Sequence, residues 1–208
     1  LVAVSKTHAP ALIEEAYAAG QRIFGESRPQ ELAAKYEALP KDIEWHMIGH
    51  LQTNKVKLIA PFVALIHSAD SERLIRVINE AIRNGRVIDI LLEIHVADEE
   101  TKSGWTYDAL LKYVKSGALA AMKGVRVRGV MGIATYTSNE FRVRLDFELL
   151  QQYKKELEAY FDSSFDTLSM GMSDDYPLAL DYGTTMVRIG SLIFGKRDYA
   201  AAEKEATV

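Results

Sequence analysis

The chain has 208 residues, of which 48% are hydrophobic and 26% charged, a balance typical of a globular protein with one domain or two small ones. Its formal net charge of -4 argues against nucleic-acid binding, and no apolar run approaches the roughly 18 residues that a membrane-spanning helix needs. The absence of cysteine excludes disulfides and thiolate chemistry, and the chain opens on a strand-like segment rather than a signal peptide, so we expect a cytoplasmic protein.

Short apolar runs alternate with longer helical patterns along the whole chain. The predicted strands are residues 1–6, 22–25, 44–48, 62–68, 88–96, 125–133, 166–170 and 186–189. The predicted helices are residues 9–19, 29–39, 52–60, 71–84, 107–116, 140–161 and 174–181. Ser71 and Thr106 stand at N-cap positions, Pro29 suits a first turn, and Gly20 and Gly85 suit helix C-termini.

This alternation predicts a single α/β domain over residues 1–208, a (β/α)8 TIM barrel. A doubly wound open sheet is the alternative. A barrel needs a helix over the seam between its last and first strands, and only residues 198–206 remain for it. We therefore expect that a helix before the first strand is missing.

Four segments are candidates for chemistry because catalytic groups of such barrels lie at the carboxyl ends of the strands. Lys6 closes the first predicted strand, and Arg188 lies in the last one, just before Gly190 and Ser191; the last strand adjoins the first in a closed barrel. A lysine there can form a Schiff base with a carbonyl compound. The alternatives are a solvated lysine and a rim arginine paired with a carboxylate.

The segment after the seventh predicted strand contains Gly171 and Ser173. Gly171 lets the backbone approach a ligand, and the Ser173 hydroxyl with the amides that follow could hold a phosphate. Ser173 could instead simply cap the next helix. Gly190 and Ser191 could offer backbone amides to the same phosphate, while Arg188 would point toward a bound ring.

The histidines give weaker signals. His46 and His50 are four residues apart, but no third ligand accompanies them, so we predict no metal site. His46 is better read as a histidine inside the barrel or at its mouth. The five histidines form no relay that the sequence makes visible.

Five ordered motifs resemble those of the YggS/PROSC family of pyridoxal-phosphate-binding proteins, over Leu1 to about Tyr199. They are Val2-Ala3-Val4-Ser5-Lys6-Thr7, Phe24-Gly25-Glu26-Ser27, Trp45-His46-Met47-Ile48-Gly49-His50-Leu51-Gln52-Thr53-Asn54-Lys55, Ser169-Met170-Gly171-Met172-Ser173-Asp174-Asp175-Tyr176 and Val187-Arg188-Ile189-Gly190. The resemblance implies a barrel similar to the N-terminal domain of alanine racemase (PLP fold type III). It also implies an aldimine of pyridoxal 5'-phosphate (PLP) with Lys6.

The resemblance further implies phosphate contacts from Ser173, Gly190 and Ser191, with Arg188 facing the ring nitrogen. Ser27 replaces an asparagine that is usual in the family, which puts a side-chain contact from that position in doubt. We add Ser27 and His46 to the candidate cofactor-binding residues.

The implied function is reversible PLP binding in intracellular vitamin B6 homeostasis, with PLP-dependent apoenzymes and amino acids as further candidate partners. The alternative is a PLP-dependent amino-acid racemase, although no spacing supports Tyr136 or Tyr182 as its second acid–base group. A barrel that binds another phosphorylated metabolite non-covalently is a third hypothesis. We expect a monomer, because no sequence feature marks an interface.

Overall fold

The computed structural model describes residues 1–82 and 85–195. Eight parallel strands form a closed barrel in chain order, and β8 pairs with β1. The strands are β1 (Val2–Val4), β2 (Ile23–Glu26), β3 (Glu44–Met47), β4 (Leu65–Ala69), β5 (Ile88–Glu93), β6 (Val125–Met131), β7 (Thr167–Met172) and β8 (Met186–Ile189). The predicted (β/α)8 barrel is confirmed, and the doubly wound alternative is wrong because the sheet closes.

Helices follow the strands and cover the outside of the barrel. They are α1 (Pro10–Ala18), α2 (Pro29–Ala38), α3 (Val56–Ile59), α4 (Glu72–Ala81), α5 (Tyr107–Lys115), α6 (Glu140–Leu157), α7 (Tyr176–Asp181) and α8 (Ser191–Phe194). Short 3-10 turns precede α3 and follow α6. Residues 198–206, predicted to cover the seam, lie outside the described residues.

The core has two layers because parallel strands covered by helices are buried on both faces. A large cluster between strands and helices includes Phe24, Trp45 and Phe147. A smaller, separate cluster of Leu65, Leu91 and Met131 fills part of the barrel interior. Side chains alternate between the two faces of each strand. The inward-facing polar residues of the neighbouring strands therefore also lie inside the closed barrel.

Most predicted helix ends are confirmed. The Ser71 and Thr106 hydroxyls accept hydrogen bonds from backbone N–H groups of α4 and α5. Gly20 follows α1 with a φ of 103°. Gly85 was wrongly placed at a C-terminus, because α4 ends at Ala81 and Gly85 lies beyond it.

The ends of two strands differ from the sequence prediction in a way that affects the candidate site. β1 ends at Val4, so Lys6 lies in a turn after the strand rather than closing it. β7 continues to Met172 and α7 begins at Tyr176, so Ser173 lies in the turn between them. Both turns lie at the carboxyl end of the barrel.

At the opposite, amino end, charged side chains join three neighbouring strands. Asp89 accepts hydrogen bonds from Arg126 at 2.7 and 2.9 Å and from Arg128 at 3.0 Å. Arg128 also contacts Asp166 at 3.2 Å. Within the described ranges, no helix is long and apolar enough to cross a membrane.

Candidate functional site

Gly190 brings the end of β8 against β1. Val2 pairs with Arg188 and Ala3 with Ile189, so the next residues, Val4 and Gly190, are neighbours. A Cβ on Gly190 would lie only 3.3 Å from the Val4 carbonyl oxygen. Glycine therefore allows the loop after β8 to lie directly beside the turn that carries Lys6.

Ser173 joins the loop after β7 to the same place. Its hydroxyl accepts a hydrogen bond from the Gly190 N–H at 3.3 Å. The interpretation of Ser173 as a helix cap is wrong, because Asp175 occupies the N-cap position of α7. The Asp175 carboxylate accepts a hydrogen bond from the Met172 N–H at 2.6 Å, so this side chain bonds within its own loop.

Arg188 is buried inside the barrel with 4% of its surface exposed. It donates to the Ser169 hydroxyl at 2.7 Å and to the Gly132 carbonyl at 3.0 Å. Burial lowers the pKa of Arg188 to about 10, against the opposing charges of Asp175 and Glu93, so the guanidinium stays protonated at neutral pH. The alternative interpretation as a rim arginine is therefore wrong.

Two buried histidines continue this chain of hydrogen bonds. Ser169 Oγ lies 3.2 Å from His67 Nδ1, and His67 Nε2 lies 3.0 Å from His46 Nδ1. Burial lowers the pKa of His46 to about 4, and burial also lowers that of His67 well below its usual value, so both rings are neutral at pH 7. Sequence reasoning missed this relay, because its members lie on different strands.

Arg188 donates to Ser169 Oγ, since a guanidinium only donates. Neutral His67 has one donor and one acceptor nitrogen, and it uses the two toward Ser169 and His46. Among the residues that the structure describes, no group of three or more His, Cys, Asp or Glu side chains is placed to hold a metal ion.

Lys6 is half-buried in the turn after β1, between two residues whose backbone is held by α2. Lys35 donates to the Ser5 carbonyl at 2.8 Å, and Glu31 accepts from the Thr7 N–H at 2.6 Å. Sequence reasoning missed Lys35 and Glu31, because charged residues of a surface helix are usually exposed to solvent. A lysine on the buried side of an amphipathic helix is the only signal that could have found Lys35.

Ser27 follows β2 on the same rim, and Ser191 follows Gly190 after β8. Ser27 is half-buried, and its backbone lies so close to Gly49 that a Cβ there would be 2.6 Å from the Ser27 carbonyl oxygen. Ser191 is exposed and is the first residue of α8, where a backbone N–H has no partner within the helix.

This rim has the groups that a phosphorylated aldehyde would need. It combines a primary amine, a hydroxyl joined to a backbone N–H, and a buried cation. Thr7 Oγ1, next to Lys6, is also buried without a hydrogen-bond partner among the described residues. Such an unpaired group is typical of a place where a ligand completes the bonding. The residues present therefore fit the implied cofactor.

Comparison with known proteins gives a consistent result. Residues 1–198 match the family described as "Alanine racemase, N-terminal domain". A pyridoxal phosphate homeostasis protein of Aquifex aeolicus is 42% identical over 201 residues, covering 96% of this chain and 87% of the relative. The corresponding Escherichia coli protein is 38% identical over 208 residues, covering 96% of this chain and 86% of the relative.

Comparison with solved structures gives the same barrel fold. PipY of Synechococcus elongatus, solved with PLP bound, has a TM-score of 0.84 at 35% identity and covers 93% of this chain and 91% of its own. Alanine racemase of Bartonella henselae, at 15% identity and a TM-score of 0.66, covers 94% of this chain and 54% of its own and shows a common fold alone. The chain belongs to the pyridoxal phosphate homeostasis protein family, whose barrel is the alanine racemase N-terminal domain.

Proposed function

We propose that this protein binds pyridoxal 5'-phosphate reversibly through Lys6 and thereby buffers and supplies the cofactor within vitamin B6 homeostasis. The observation that carries the proposal is the meeting of three loops, which bear Lys6, Ser173 and Gly190, above the buried Arg188. PipY, which is 35% identical to this chain and was solved with PLP bound, supports the same choice of ligand.

The Lys6 amine forms the covalent bond in this proposal. Its nitrogen adds to the aldehyde carbon, a C=N bond replaces the C=O bond, and one water molecule leaves; the return of that water releases the cofactor without net oxidation or reduction. The Ser173 hydroxyl and the amides of Gly190 and Ser191 hold the phosphate. Ser27 and His46 complete the proposed contacts, His46 from inside the barrel.

Arg188 determines which chemistry the bound ring favours. When bound, the cofactor supplies an aldehyde carbon and a pyridine ring that can accept electrons. A protonated guanidinium only donates hydrogen bonds, so Arg188 keeps the ring nitrogen unprotonated and makes the ring a weaker electron acceptor. This favours holding the cofactor over carbanion chemistry.

The two tyrosines considered for a racemase do not support that alternative. The Tyr182 ring packs against Phe147 of α6, with ring centroids 6.4 Å apart, in the outer layer of the core. Tyr136 lies in the loop after β6 with 90% of its surface exposed. We therefore propose a monomeric cytoplasmic carrier, with PLP-dependent apoenzymes as its partners and amino acids as further ligands.

Borohydride reduction tests the anchor. The protein is mixed with PLP, reduced and digested, and the label is located by mass spectrometry. We expect one label on the peptide that contains Lys6, at least tenfold less in Lys6→Ala, and no change in Lys57→Ala, a matched exposed lysine of α3. Equal labelling of Lys6→Ala would refute the proposal.

Turnover tests the carrier role. Exchange of the α-proton of L-alanine in D2O, followed by NMR, reports racemase chemistry directly. We expect no protein-dependent exchange above the rate that free PLP gives. Exchange that is lost in Lys6→Ala would instead establish the racemase.

A further inference from the structure

We propose that Lys35 and Glu31 of α2 are positioning residues, which hold the turn around Lys6 so that its amine faces the ligand. The proposal rests on the function proposed above. It concerns a set of contacts behind the turn, on the side of the helix layer, rather than the ligand contacts themselves.

The turn has an unfavourable backbone conformation. Thr7 has a φ of 67° and is the one non-glycine residue with a positive φ in ranges 1–82 and 85–195. A β-branched residue rarely adopts this conformation, because its Cβ comes close to the following carbonyl oxygen. The Ser5 carbonyl accepts from the His8 N–H at 3.1 Å across the turn, and the Glu31 carboxylate holds the turn from outside by accepting the Thr7 N–H at 2.6 Å.

Lys35 holds the other side of the turn. Its ammonium donates to the Ser5 carbonyl at 2.8 Å, to Glu26 Oε1 at 2.8 Å and to Glu31 Oε1 at 2.7 Å. An ammonium has three protons, so these contacts use all of them. Lys35 is 5% exposed and Glu26 is fully buried, which makes the cluster unlike a surface ion pair.

Ser5 is held at two further atoms. Its hydroxyl donates to Glu26 Oε1 at 2.6 Å, and its N–H donates to the Gly25 carbonyl at 3.1 Å. The residues before and after Lys6 are thus both anchored, Ser5 to β2 and to Lys35 of α2, and Thr7 to Glu31 of α2. The backbone direction at Lys6 is set by this cluster.

The chemical consequence follows from the length of the lysine side chain. The four methylene groups of Lys6 let its amine take many positions. Only a position beside the aldehyde carbon allows the bond to form. Fixing the backbone from which the side chain starts reduces that search and raises the rate of attack on a bound aldehyde. Affinity for the phosphate and ring, which other loops supply, does not depend on it.

The experiment separates bond formation from binding. Stopped-flow absorption gives the rate constant for C=N bond formation with PLP, and titration gives the affinity for pyridoxamine 5'-phosphate, which has the ring and phosphate but no aldehyde. We expect Glu31→Leu and Lys35→Met to lower the rate constant at least tenfold. Their affinity for pyridoxamine 5'-phosphate should stay within twofold of the original protein.

Two further variants sharpen the interpretation. Glu31→Gln keeps an oxygen that can accept the Thr7 N–H, so its rate constant should return to within about threefold. Lys154→Met removes a lysine that pairs with Glu158 at the end of α6, and it should change neither quantity. Glu31 has 20% of its side chain exposed, so Glu31→Leu remains informative if Lys35→Met does not fold.

Acetylation of the cofactor-free protein gives a readout that needs no bound PLP. The rate at which acetic anhydride modifies Lys6, relative to Lys57, should differ at least threefold between the original protein and Glu31→Leu. If Lys6 forms no bond with PLP but this ratio changes, the positioning stands and the proposed function fails. The positioning role would be overturned if neither the acetylation ratio nor the rate constant for C=N bond formation changed. It would also be overturned if that rate constant and the affinity for pyridoxamine 5'-phosphate fell by equal factors.

Discussion

At the scale of single residues, the barrel interior contains ionisable groups that burial keeps in one state. The pKa values of His46 and His67 are lowered because each ring is enclosed, so both stay neutral, while Arg188 stays charged although it is buried. Of these three groups, only the arginine is thus charged at pH 7. The two buried, neutral histidines make the free energy of unfolding depend on pH.

We expect the two histidines to weaken the fold in acid. The pKa of His46 is about 4 in the fold and near 6.5 in the unfolded chain, so the unfolded chain binds more protons between these values. The stability due to the neutral ring is complete above pH 6.5 and is lost as the pH falls toward 4, by about 3 kcal/mol in the limit. Glu26, whose pKa burial raises to about 7, acts in the opposite direction.

His46→Asn separates the two effects, since its side-chain amide can both donate to and accept from His67, and Glu26 is unchanged. Urea unfolding from pH 7 to pH 4 should show the free energy of unfolding falling less steeply in the variant than in the original protein. Parallel curves would show that His46 does not resist protonation in the fold.

Part of the site could be predicted at this scale. Lys6, Arg188 and Gly190 lie at or just after the ends of apolar runs in the sequence, and those positions alone indicate the carboxyl end of the barrel. Lys35 and His67 could not be assigned to the site in the same way. Each lies in an element that contains other polar residues, and only its contacts show its role.

At the scale of elements, β6 depends on a glycine where its register with β5 shifts. Ile90 pairs with Val127, but the next residue, Leu91, pairs with Gly129, so one extra residue is accommodated in β6. Gly129 has a φ of 150°, and a Cβ there would lie 1.8 Å from the Thr167 carbonyl oxygen of β7. No side chain fits between these strands.

Gly129→Ala should therefore destabilise the protein by more than about 4 kcal/mol or prevent folding, because β6 must move away from β7. Gly117→Ala is the matched control, since Gly117 has a φ of 76° but no atom lies within 4 Å of the position that a Cβ would take. It should cost only about 1 kcal/mol, from backbone strain. Thermal or urea unfolding measures both, and similar losses would mean that strain, not the clash, decides.

At the scale of the whole molecule, the two ends of the barrel have different roles. The carboxyl end carries the candidate site, whereas Asp89, Arg126, Arg128 and Asp166 tie strands together at the amino end. This division is usual for barrels of this kind, in which the chemistry and the stabilising contacts lie at opposite ends. Changes at the amino end should therefore affect stability alone.

Asp89→Asn tests that separation. The variant weakens hydrogen bonds to two guanidinium groups, so the free energy of unfolding should fall by about 2 kcal/mol. Borohydride labelling of Lys6 by PLP should remain unchanged below the unfolding transition. Asp166→Asn, at a side chain with 56% exposure, should cost less. A loss of Lys6 labelling in folded Asp89→Asn would show that the two ends are coupled.

The sequence by itself determined the order and type of the elements, the eightfold alternation and the segments that reach the rim. These properties are local, because the period of the apolar residues and the capping residues act within a few positions of the chain. The resemblance in five motifs added the family. The predicted ends of β1 and β7 differ from the observed ends, because tertiary pairing decides where a strand stops.

Only the tertiary structure decided which polar groups meet. His67 and Ser169 are 102 residues apart in the chain, and Lys35 is 30 residues from Ser5, yet both pairs are in hydrogen-bond contact. Such contacts exist because the barrel closes and brings strands and helices from different parts of the chain to fixed distances. The local alternation predicts the barrel but not which side chains meet in it, so the buried hydrogen bonds around Arg188 and the support behind Lys6 follow from the fold alone.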